Sequence, residues 1–136
     1  MILLDTHVVF WLNHAPEKLS RNAARAIRRE ASGSGSSSGL GLCSISLWEL
    51  ALLQRSGRLR LTTASPFEFL RTIVQTPGLR VFEISSEVAV LAASAPIDFP
   101  SDPADRLIAA TARAHRLPLV TKDQRFLDSD LMQTIW

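Results

Sequence analysis

The chain has 136 residues, 46% of them hydrophobic and 21% charged, enough for one domain that buries roughly two thirds of the surface exposed by its unfolded form. A single cysteine, Cys43, excludes an intramolecular disulfide. No apolar run approaches the roughly 20 residues that span a bilayer, and the opening MILLDTHVVF lacks the charged n-region and cleavage site of an export signal, so a soluble cytoplasmic protein is expected. The net charge is only +2, but the basic side chains are 13 Arg and 2 Lys. A guanidinium suits phosphate better than an ammonium does, a lean toward nucleic acid that a coding bias toward Arg also explains.

The first element is ILL, residues 2–4, a short apolar run closed by Asp5 that reads as a buried strand entering a loop. PEKLSRNAARAIRREA, residues 16–31, predicts an amphipathic helix with Pro16 in its first turn and Ala23, Ala26 and Ile27 on one face. SGSGSSSG, residues 32–39, has the composition of a flexible connector, natural or engineered. LGLCSIS, residues 40–46, predicts a second strand, and LWELALLQRSG a helix with Gly57 past its end as a stop signal. SPFEFLRTIVQTPG predicts a helix running into a Pro-Gly break, LRVFEI a third strand, and SEVAVLAASA a small-residue helix. DPADRLIAATARAHR is a longer helix, LPLVT a fourth strand, and MQTIW a fifth at an edge. Alternating strands and helices predict an α/β fold with a mainly parallel sheet of four to five strands, covered on both faces, in a single domain over residues 1–136.

Of the 13 acidic residues, four fall at strand-to-helix junctions: Asp5 after ILL, Glu49 after LGLCSIS, Asp105 opening a helix, and Asp123 after LPLVT. In open α/β sheets the ligand crevice lies beyond the carboxyl ends of the strands, so these side chains can converge across long sequence separations. Each also has a capping explanation, because a helix N-terminus favours acids. SLWE reads as a capping box with Ser46 as N-cap. In DPAD, Asp102 reads as N-cap with Pro103 at the first helical position. Capping does not account for carboxylates where Ser44, Ser46, Thr6 or Thr121 would serve. Four clustered carboxylates repel unless a cation neutralises them, and all-oxygen ligands suit Mg²⁺ or Mn²⁺. Zinc is disfavoured, since His7, His14 and His115 show no paired spacing and Cys43 stands alone.

LLDTHVVFWL, SISLWEL, DPADRLIAATA and LPLVTKD, in that order and over nearly the whole chain, resemble the four acidic motifs of PIN-domain ribonucleases, and more narrowly the VapC toxins of type II toxin–antitoxin modules. The departure is SGSGSSSG, where the family has a short turn. The resemblance implies a PIN-like three-layer α/β/α fold and metal binding by Asp5, Glu49, Asp105 and Asp123, with Thr6 and Thr121 as polar neighbours. It implies a Mg²⁺- or Mn²⁺-dependent endoribonuclease in which the ion activates water and offsets charge on the phosphate. A second ion would enlist Asp123 and Asp102. Arg106 and Lys122, each beside a proposed ligand, are the expected phosphate contacts, or else exposed side chains on a first helical turn.

The resemblance further implies a homodimer and a cognate VapB-like antitoxin lying over the acidic groove, where an inserted Arg would replace the metal's charge. Phe10, Trp11 and Trp48 line that groove or serve in the core. Two other readings compete. A phospho-acceptor receiver domain would want paired acids after the first strand, where this chain has Thr6 and His7 after Asp5. A PIN-like module that binds RNA without cutting would lack one of the four acids, all of which are present.

Overall fold

Five short strands lie parallel in one sheet: β1 (Ile2–Leu4), β2 (Leu40–Cys43), β3 (Leu79–Phe82), β4 (Leu119–Val120) and β5 (Thr134–Ile135), in the spatial order β3-β2-β1-β4-β5. The structure is a computed structural model that describes residues 1–33, 38–57, 65–96, 99 and 101–136. The connections carry helices α1 (Thr6–His14), α2 (Arg21–Ala31), α3 (Ser44–Arg55), α4 (Pro66–Val74), α5 (Ser86–Ala93), α6 (Pro103–Ala114) and α7 (Gln124–Leu127), with a 3-10 turn at Pro16–Lys18.

The strand residues divide by the two-residue period of a pleated sheet. Ile2, Leu4, Leu40, Leu42 and Val120 pack with Val8, Val9, Ile27, Leu50 and Phe69 of α1, α2, α3 and α4. Leu3, Leu119 and Phe82 face the other way, onto Ile108, Ala109 and Ala112 of α6 and Phe126 of α7. Helix α5 lies against α6 through Val88, Ala92 and Ala110. Covering both faces explains why β1 and β2 are apolar throughout rather than alternating.

Several elements differ from the sequence expectation, three of them near the site or its core. The strand closed by Asp5 is expected to enter a loop; instead Thr6–His14 forms helix α1. Its β-branched and aromatic residues have modest helix propensity, and burial of Val8 and Val9, both 0% exposed, overrides it. The single helix expected over 16–31 is broken: Leu19 is extended, and Ser20 caps a new helix by accepting from the Ala23 N–H at 3.1 Å. The strand expected over 40–46 stops at Cys43, and α3 already includes Ser46, so Ser46 caps nothing. The connector expected over 32–39 lies partly outside the described residues.

Candidate active site

Strand β1 is central, with β2 on one side and β4 on the other. The chain leaves β1 toward β2 and β3 and returns to the opposite side for β4 and β5, so a crevice is expected beyond the C-terminal ends of β1 and β4. Asp5 directly follows β1, Thr121 and Asp123 follow β4, Glu49 stands on α3 just after β2, and Asp105 is in the first turn of α6.

The capping explanation can be judged acid by acid. Asp102 does cap α6, accepting from the Ala104 N–H at 2.8 Å. Asp123 caps α7, accepting from the Arg125 N–H at 2.9 Å. Asp5 occupies the N-cap position of α1 but makes no side-chain cap bond. Instead its Oδ2 accepts from the Thr121 hydroxyl at 2.6 Å, between residues that are 5% and 0% exposed. Glu49 caps nothing either; its Oε2 lies 2.6 Å from Thr6 Oγ1, which is also 2.8 Å from Ser46 Oγ. A hydroxyl has one proton to give, so Thr6 donates to the carboxylate and accepts from Ser46. Thr121 acts at two places, donating to Asp5 and accepting from the Asp123 N–H at 3.0 Å. The two threonines thus tie together acids from three separate segments of the chain: Asp5 after β1, Glu49 on α3 and, through its backbone N–H, Asp123 after β4.

Electrostatics show that these carboxylates feel one another. Burial pushes Asp105 up to about 6, with repulsion from Asp102, Asp5 and Asp123 adding to it and Arg125 opposing it. Burial likewise raises Glu49, with Asp5, Asp105 and Asp102 contributing, against the Thr6 hydrogen bond. Asp123 is held below the usual aspartate range by its hydrogen bonds from the Arg125 side chain.

His7 Nε2 accepts from the Lys122 N–H at 3.1 Å, which leaves its proton on Nδ1, 3.5 Å from Asp5 Oδ1. The His7 ring packs on Trp11 at 4.7 Å, and Lys122 Nζ sits over the same indole at 5.9 Å. The Arg106 guanidinium reaches the Ala95 and Pro96 carbonyls at 3.5 and 3.4 Å. Phe10 stacks on His14 and meets Phe69 edge-on, packed against the core. Trp48 is 57% exposed and lines an open cleft of about 800 Å³ with Ile45, Leu52, Pro103 and the acids Glu49 and Asp102.

Sequence reasoning did not find Arg125, His7 or Ser46. Arg125 joins two of the acids: Nη2 is 2.8 Å from Asp105 Oδ2 and also contacts Asp123, while Nε is 3.0 and 3.1 Å from the two Asp123 oxygens. The available signal was its place two residues after Asp123, just past the end of the LPLVTKD motif.

Among the described residues, no three Asp, Glu, His or Cys side chains stand close enough to enclose an ion as they are. The donor set nevertheless fits a hard divalent cation. It consists of carboxylate oxygens without thiolate, and it already draws a positive group between Asp105 and Asp123.

Residues 2–130 match the PIN domain family. The chain is 40% identical over 126 residues to Ribonuclease VapC22 of Mycobacterium tuberculosis, covering 91% of this chain and 88% of that one. Among solved structures it resembles VapBC2 from Rickettsia felis bound to a DNA fragment from their promoter, with TM-score 0.71, 16% identity and coverage of 98% and 97% of the two chains. DNA-bound VapBC from Salmonella typhimurium gives 0.67 at 18% identity, covering 98% and 97%. Those two likenesses concern the fold, whereas the family match and the sequence identity carry the assignment: this chain belongs to the PIN-domain family, in its VapC branch.

Proposed function

We propose that this chain, a single domain over residues 1–136, is a Mg²⁺- or Mn²⁺-dependent endoribonuclease acting in the cytoplasm as the toxin of a type II toxin–antitoxin module. The observation that carries the reading is the pair of acids that cap nothing: Asp5 and Glu49, held instead by Thr121 and Thr6 at the mouth of the sheet. In this reading Asp5, Glu49, Asp105 and Asp123 would hold the metal, which would supply an activated water and charge neutralisation at the phosphate. Thr6 and Thr121 fix the carboxylate rotamers. Asp102 starts α6 and so sets where Asp105 projects. Lys122 and Arg106, beside two of the acids in sequence, supply the phosphate contacts.

RNA as substrate is supported by the relative named a ribonuclease. A VapB-like antitoxin as partner is supported by fold neighbours described as VapBC assemblies. The apolar cleft with Trp48 and Leu52 exposed beside Glu49 and Asp102 suits an antitoxin segment that carries apolar side chains and an Arg. Assembly of the toxin as a homodimer completes the proposal. The test is cleavage of a panel of tRNAs and ribosomal RNA with Mg²⁺, Mn²⁺ or EDTA. Cleavage restricted to the metal-containing reactions is expected, and undiminished cleavage in EDTA would overturn the reading.

A further inference from the structure

The Arg125 guanidinium fills the space between Asp105 and Asp123. It gives Nη2 to Asp105 Oδ2 at 2.8 Å and to Asp123, and Nε to both Asp123 oxygens at 3.0 and 3.1 Å. Its backbone N–H is also bonded to Asp123, at 2.9 Å, so the first turn of α7 fixes where this side chain starts. The carboxylates are sheltered, with 15% and 23% of their side-chain surface exposed, but the Arg125 side chain is 54% exposed. Its far side therefore keeps its water, and releasing the carboxylates does not strand a buried charge.

A guanidinium has donors and no lone pair, so it cannot join the shell of an ion. The oxygens it holds are those that Asp105 and Asp123 would offer to a metal. Each carboxylate oxygen has a second lone pair, so it is not the hydrogen bonds but the positive charge of the guanidinium, placed between the two carboxylates, that opposes a divalent cation at this position. We propose that Arg125 is an exchangeable counter-cation of the site: it clamps Asp105 and Asp123 in the metal-free protein, and a divalent ion loads only by displacing it. The residue thereby sets the metal concentration at which the site fills. This inference rests on the metal-binding reading above and adds a residue role to it. The opposing picture is an Arg125 that stays in place and orients Asp123 for the metal, and the two pictures predict opposite signs.

The test is Mn²⁺ binding without RNA, measured by titration calorimetry and by the electron-spin signal of free Mn²⁺, on wild type, Arg125→Gln, Arg125→Lys and Asp105→Asn. Displacement predicts that Arg125→Gln binds Mn²⁺ roughly three- to tenfold tighter, the order expected for losing one half-exposed cation facing two carboxylates. Arg125→Lys keeps the charge without the two-pronged fork, so it falls between wild type and Arg125→Gln and provides a variant closer to the native fold. Without metal, the melting temperature of Arg125→Gln drops, and the rise that Mn²⁺ produces is larger than in wild type. Equal or weaker Mn²⁺ binding by both Arg125 variants overturns the inference while leaving the metal reading intact. Absence of Mn²⁺ binding by wild type, or unchanged binding by Asp105→Asn, removes the metal reading and the inference together.

Discussion

Asp102 and Asp105 stand three positions apart and do different work. Asp102 bonds the Ala104 N–H and begins α6, and loss of such a cap typically costs about 1 kcal/mol. Asp102→Ala is therefore expected to melt earlier while retaining most of the stabilisation that Mg²⁺ provides, as paired thermal melts with and without the ion would show. Asp105 has its value raised from 3.8 to about 6, chiefly by burial. A carboxyl raised on folding favours the native state while it is protonated. That contribution is complete below the unfolded value of 3.8 and is lost as pH climbs through about 6. Metal-free wild type is expected to lose melting temperature from about pH 4 to just above pH 6, and Asp105→Asn to show a shallower loss. Glu49, raised as well, keeps some slope in the variant. An identical slope in both proteins would contradict the placement of Asp105. The acids were legible because each sits at a junction of elements, Asp5, Glu49 and Asp123 after apolar strand runs and Asp105 at the start of a helix. Arg125, His7 and Ser46 were not, because their roles depend on contacts such as His7 to the Lys122 N–H, which join distant parts of the chain.

Strands and helices obey packing before propensity. The strands were readable as apolar runs, but their ends were not: β2 stops at Cys43 because Ser44 already begins α3, and turning Ser46 inward lets it meet Thr6. The missed helix α1 has the same cause, since its Val8 and Val9 fit a core that only the assembled sheet creates. Gly41 in β2 reports how tight that assembly is. A Cβ there would come within 2.8 Å of the Phe82 ring and 3.1 Å of the Leu3 side chain. Overpacking of this kind costs about 1–3 kcal/mol. Gly41→Val is expected to be destabilised by that amount in urea unfolding; a variant as stable as wild type would mean that the Phe82 ring and the Leu3 side chain move aside without cost.

Across the whole molecule, sheet order explains why acids far apart in sequence act together. With β1 flanked by β2 and β4, the segments that follow these strands bring Asp5, Glu49, Thr121 and Asp123 to one end of the sheet, and α6 adds Asp105. The alternation of strands and helices was enough to predict the layered fold. The order of the four acidic motifs was enough to point to the family that residues 2–130 match. What sequence left open was whether each acid caps a helix or serves the site, because capping depends on where a helix begins, to within one residue. Hydrogen bonds separate the cases at Asp5 and Glu49. In the proposed function Glu49 is a charged ligand rather than part of the scaffold, and Glu49→Gln separates the two roles most directly, because its amide oxygen still accepts from Thr6. A metal-free melting temperature at or above wild type is expected, together with Mg²⁺-dependent RNA cleavage reduced by more than the roughly 10- to 100-fold that loss of an outer-shell partner costs. RNA cleavage by Glu49→Gln within a few-fold of wild type would contradict the ligand role.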